Sequence, residues 1–143
     1  MGAPLVPYLF IASGAFTALS GLCALGLAAS TPSASEAATL AAVDASTETI
    51  AYLRWLTGKV GFAAAGLALL GAARSQWAGG GAMRRIAPAS ALIGAAMQFI
   101  WIDAATLMHQ IVGIAFFAWI VLMGAMLAAG RGERQFAGER DAS

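Results

Sequence analysis

Between Thr49 and Ala73 the chain reads TIAYLRWLTGKVGFAAAGLALLGAA, a stretch whose only charges are Arg54 and Lys59. About 20 consecutive apolar residues suffice for a helix to cross the ~30 Å hydrocarbon layer of a membrane. The stretch is long enough, and few soluble folds could hide it. Its two cations are expensive in a hydrophobic setting, so any account of the protein has to place them.

The rest of the chain repeats this pattern. Of 143 residues, 60% are hydrophobic and only 10% charged, against about 25% charged in ordinary soluble domains. A soluble fold of this length could not enclose so much apolar surface. Lipid removes the difficulty, because apolar side chains then face outward. The expected fold is all-α: a polytopic membrane protein, a four-transmembrane-helix bundle with a short interfacial helix in its first outer loop. One transmembrane domain covers residues 1–130, with spans near 5–29, 50–73, 86–102 and 107–129. Residues 131–143 form a polar, mixed-charge tail.

The first run contains no charge, and no Lys or Arg precedes it. At 25 residues (5–29) it exceeds the ~7–15 residues of a signal-peptide core, so it is expected to be a retained span. Ser33 and Glu36 have capping-box spacing ahead of the Ala-rich segment to Val43. That segment is expected to be a short helix at the membrane surface, followed by a polar link through Asp44 and Glu48. Residues 74–85, RSQWAGGGAMRR, are expected to form a flexible turn around Gly79–Gly81. Pro88 is expected in the first turn of the third span, where it is tolerated.

Basic residues set the orientation. Arg74, Arg84 and Arg85 fall on the same side as Arg131, Arg134 and Arg140, and the positive-inside rule makes that side cytoplasmic. Both termini are then inside, and the acidic loop and the Asp103 turn outside. Ala, Gly and Arg usage fits a bacterial source, hence a bacterial inner (cytoplasmic) membrane.

Small residues recur at Gly58, Gly61, Ala65, Ala68 and Ala72, three or four apart, drawing a stripe down one helix face. Such a stripe lets a second helix approach closely. Gly94 contributes to a second small face on the third span.

The topology brings Arg54, Lys59, Asp103 and His109 to one outer level, with Gln98 and Gln110 at similar depth. These six are the candidate ligand-binding residues. Each also has a plainer role. Arg54 suits an interfacial anchor, Lys59 can snorkel or pair with an acid, and Asp103 is placed to cap the fourth helix. His109 is the lone histidine and cannot supply the two axial nitrogens of a typical b-type haem. Single-histidine haem or chlorophyll ligation through it is disfavoured, and no cofactor is required. Cys23 is alone, without a partner for a disulfide or a zinc site. No Ser/His/Asp constellation and no metal cluster is expected.

A net charge of +1 without a clustered basic surface excludes a nucleic-acid partner. The expected partners are the lipid bilayer and either the chain itself or a larger membrane protein complex. The first functional expectation is therefore a non-catalytic subunit or accessory factor that packs through small-residue helix faces against a second copy or a larger complex. The alternative is binding or transport of a small anion or lipid head group at the outer cluster. Third comes a membrane enzyme acting on a lipid-soluble substrate, with His109 as acid or base.

Overall fold

The computed structural model describes residues 5–29, 37–102 and 106–129. Every one of these except Gly80, Ile102 and Ala129 is helical. The elements are α1 (Leu5–Ala29), α2 (Ala37–Gly79), α3 (Gly81–Met97), a 3₁₀ turn η1 (Gln98–Trp101) and α4 (Thr106–Ala128).

Helix α2 is the spine. It has 43 residues, about 65 Å at 1.5 Å per residue, and both α1 and α3 pack along it. The α1 pairing is antiparallel. Ideal Cβ positions at Gly58, Gly61 and Gly71 would meet Ser20, Thr17 and Val6 in turn, so partner numbers fall as α2 advances. The α2–α3 pairing is also antiparallel, with Gly66 opposite Gly94 and Gln76 opposite Ser90.

The expected short helix and polar link before residue 50 are corrected: α2 runs unbroken from Ala37 through Asp44 and Glu48 into the apolar stretch. The physical reason is propensity. Ala is the best helix former, and extending an existing helix costs far less than nucleating a new one. Thr49 also donates its hydroxyl to the Ala45 carbonyl at 2.9 Å, a bond that fits the helix. Ser33 and Glu36, the expected capping pair, lie outside the described residues.

The expected loop at 74–85 shrinks to a single residue. Gly80 (φ 73°) and Gly81 (φ 55°) both adopt left-handed backbone, which side chains with a Cβ rarely tolerate. The tight reversal therefore falls where three glycines stand. Because α3 starts at Gly81, Pro88 lies in the helix interior rather than in its first turn. Its missing N–H removes the bond that would reach the Arg84 carbonyl.

The core is small. Ala65, Leu69, Met97 and Val112 are buried together, ringed by Phe10, Phe62, Ile93, Phe116 and Trp119. Around it a ladder of rings joins three helices: Phe10 to Trp119 at 6.3 Å, Trp119 to Phe116 at 6.4 Å, and Phe116 to Phe62 at 6.4 Å between centroids. Outward, the chain is apolar. Leu5, Ile11, Leu22 and Leu25 on α1 are exposed, as are Leu107, Ile114, Phe117 and Val121 on α4.

Among the described residues, three stretches are long and apolar enough to cross a membrane: Leu5–Ala29, Asp44–Gly79 and Leu107–Met126. Helix α3, with 17 residues and Arg84 and Arg85 near its start, is not among them.

Candidate functional site

Two polar assemblies stand out against this apolar background. The first surrounds η1. Here α3 tightens into four 3₁₀ residues, and side chains from α2 and α4 converge on them.

Lys59 approaches from α2. It is 7% exposed, and its ammonium sits 4.1 Å from the Trp55 ring centroid and 5.7 Å from that of Trp101. Trp55 lies one turn before Lys59 on the same helix face, while Trp101 is delivered by the end of η1. A cation held over aromatic faces is attracted by the ring quadrupoles, more strongly where water is excluded. This gives a physical account of a burial that an ammonium would otherwise resist.

His109 approaches from α4, its Nε2 3.2 Å from the Phe99 carbonyl oxygen. The tautomer protonated at Nε2 donates in this contact. Gln98 Nε2 donates to the Ala63 carbonyl at 3.2 Å and to Gly94 at 3.3 Å. Turn η1 is thus tied to α2 through Gln98 and Trp101, and to α4 through Phe99.

The sequence-derived candidates separate accordingly. Lys59, Gln98 and His109 meet the same turn. Arg54 is exposed, and its backbone carbonyl accepts a bond from the Ser20 hydroxyl at 3.0 Å. Gln110 is exposed as well. Asp103 lies outside the described residues. Among the described residues no group of three or more His, Cys, Asp or Glu is placed to hold a metal.

The packing candidates divide between two partners. Gly58 and Gly61 face α1, where an added Cβ at Gly61 would stand 3.0 Å from Thr17 Oγ1 and 3.2 Å from the Ser13 carbonyl oxygen. Ala65 and Ala68 are buried, and Ala72 is half-buried. Gly94 faces Gly66, a residue off the expected stripe.

The second assembly is absent from the sequence reading. Ser90 on α3, fully buried at 0% exposure, donates its hydroxyl to Gln76 Oε1 on α2 at 2.7 Å. Trp119 Nε1 on α4 donates to the same Ser90 oxygen at 2.8 Å. Gln76 Nε2 then points at Met123 Sδ, 3.9 Å away. One serine therefore bonds three helices together. The only signal in the sequence was a serine and a glutamine within or beside apolar runs. Such residues bond across helices when water is absent.

These features define a class: an all-helical protein with three helices of membrane-spanning length and composition, locked by two polar assemblies. Beyond that class, no protein-family description, curated protein or solved structure matches this chain.

Proposed function

We propose that this chain is an integral membrane protein of non-catalytic type, a helical-bundle subunit or accessory factor whose outer faces seat against lipid and against another membrane protein chain. In this reading α3, carrying Pro88, completes a four-span bundle together with η1.

The carrying observation is the contrast between inside and outside. The interior polar groups are engaged with one another: Ser90 with Gln76 and Trp119, Gln98 with two backbone carbonyls, Lys59 with two tryptophans. Many large apolar side chains are exposed, and on α4 Leu107, Ile114 and Val121 recur every seven residues. That spacing keeps one seam on one face of the helix. The test is purification in a mild detergent followed by native mass spectrometry. A particle holding two or more copies, or a second protein in fixed ratio, supports the reading. A strictly monomeric, partner-free particle overturns the subunit role. Recovery of folded protein in detergent-free buffer overturns the membrane assignment itself.

A second reading has one specific observation behind it. Lys59 and His109 contact the same four-residue turn from different helices. An anion, or the head group of a lipid, binding at the outer end of the bundle would use them. Lys59→Gln should then abolish anion binding, measured by isothermal titration in detergent, with helicity unchanged. Unaltered binding in that variant sinks the reading.

A further inference from the structure

We infer that the cleft between the last turns of α2 and the first turns of α3 binds an anionic glycerophospholipid, one acyl chain lying in the cleft and the phosphate resting on Arg74 and Arg84. The inference rests on the membrane assignment proposed above, but on neither the subunit role nor the η1 assembly.

The cleft has a volume of about 520 Å³. Its walls are apolar: Leu70 from α2, and Ala87, Pro88 and Ala91 from α3. Small residues and a proline leave room where larger side chains would close the gap between helices. The rim is different in kind. Arg74 and Trp77 line it, and the Arg84 guanidinium sits 5.1 Å from the Trp77 ring centroid. Arg85 is exposed beside it. Trp77 thus carries one arginine on its face while forming part of the cleft wall.

Charge argues for an anionic occupant. The acidic side chains among the described residues, Asp44 and Glu48, are exposed 26 or more positions up α2, about 39 Å along the axis at 1.5 Å per residue. They are too distant to neutralise this rim, lying several Debye lengths away at physiological salt. Depth argues for a lipid rather than a free phosphate. Leu70 is one turn below Arg74, so the apolar floor runs away from the arginines into the layer that the helix spans. A head group on the rim would place its acyl chain along that floor. Basic pockets between membrane helices on the cytoplasmic side are a recurrent geometry for anionic head groups. The arginine side of this chain is the one expected to face the cytoplasm.

The test is native mass spectrometry of the detergent-purified full chain. The probes are equimolar phosphatidylglycerol and phosphatidylcholine with identical acyl chains. The expected result is one phosphatidylglycerol retained in preference to phosphatidylcholine. Arg74→Gln with Arg84→Gln should lower that preference about thirtyfold, since each interfacial basic residue contributes about 1 kcal/mol toward anionic lipid and every 1.4 kcal/mol is about a factor of ten. Arg54→Gln, 20 positions before Arg74 on α2, should leave it unchanged. Ala91→Phe fills the cleft and should reduce retention while all the arginines remain. Excess glycerol phosphate should not displace the lipid. Equal retention of the two lipids overturns the inference, as does a preference that survives the arginine pair or Ala91→Phe. Displacement by glycerol phosphate overturns it too, because the site would then read phosphate alone. A chain that stays in the membrane fraction yet fails these tests leaves the membrane assignment standing. One that needs no detergent removes both.

Discussion

Gly66 and Gly94 meet backbone to backbone where α2 crosses α3. A Cβ built on Gly94 would stand 2.7 Å from the Gly66 carbonyl oxygen, and one built on Gly66 would stand 2.8 Å from the Gly94 carbonyl oxygen. Neither contact can be relieved by turning a side chain, because the obstacle is main chain on both sides. Gly94→Ala should therefore push the helices apart and destabilise the fold by about 1–3 kcal/mol. Gly14→Ala and Gly113→Ala are the controls, since an added Cβ meets nothing within 4 Å at either position. They should be neutral or stabilising by up to about 1 kcal/mol, the helix-propensity gain of Ala over Gly. Reversible unfolding in mixed micelles, followed by circular dichroism, ranks the three. Equal midpoints for Gly94→Ala and Gly14→Ala would remove the crossing as a determinant of stability.

Ser90 links three helices through one oxygen. Ser90→Ala leaves Gln76 Oε1 and Trp119 Nε1 without that partner in a buried setting. The expected cost is about 1–3 kcal/mol. Ser75→Ala, which removes an exposed hydroxyl bonded locally to the Ala72 carbonyl at 2.8 Å, should stay within about 0.5 kcal/mol of the parent. A double-mutant cycle with Trp119→Phe should show coupling of about 0.5–1.5 kcal/mol. Strict additivity would mean that the two residues do not depend on each other.

These two sites show what a sequence displays and what it conceals. The Gly58–Ala72 stripe is visible because its members recur at helical spacing, and Gly58 and Gly61 do lie against α1. Gly66 breaks that rhythm and faces another partner, so periodicity along one helix gave no sign of it. Ser90 and Gln76 are 14 positions apart across a reversal. Their pairing depends on how tightly the chain turns, which hangs on the left-handed Gly80 and Gly81. The unbroken course of α2 was concealed for another reason. Asp44, Thr47 and Glu48 look like a link when judged by polarity, yet polarity says little about backbone conformation where Ala dominates and the helix is already nucleated. Among the ionisable candidates, the direction each side chain takes was not legible. Arg54 and Lys59 are five positions apart, but one faces outward and the other is enclosed by Trp55 and Trp101.

Lys59 is the sole lysine in the sequence, so amine chemistry at that side chain can be followed by peptide mapping. Its 7% exposure and its place against Trp55 predict slow acylation by a water-soluble succinimidyl ester in the folded, detergent-bound protein. Trp55→Ala should speed the reaction, because that substitution removes the nearer ring. Arg54→Ala should not, since Arg54 is exposed and its tie to α1 runs through its backbone carbonyl. Rapid acylation of the parent protein, matching its rate in denaturant, would show that the tryptophan enclosure does not persist in solution.

Arg54 and Arg74 stand 20 positions apart on α2, about 30 Å at 1.5 Å per residue. That separation matches the hydrocarbon thickness of a bilayer. An arginine at the centre of a spanning helix costs about 2.5–3.5 kcal/mol, so, if α2 spans a membrane as proposed above, the favoured depth would put one arginine at each surface. Lys59 then sits about 7.5 Å inside the Arg54 level, shallow enough for its ammonium to lie against Trp55 and Trp101. The same registration leaves Asp44 to Leu53 projecting beyond the layer as helix. Single cysteines test it on a Cys23→Ser background. Ala51→Cys and Ala78→Cys lie outside the two arginines, and Ala64→Cys lies midway between them. In intact cells a membrane-impermeant maleimide should label the first. The second should react only after the inner face is opened, and the third only after denaturation. Labelling of positions 51 and 78 from one side, or ready labelling of position 64, would show that α2 does not cross.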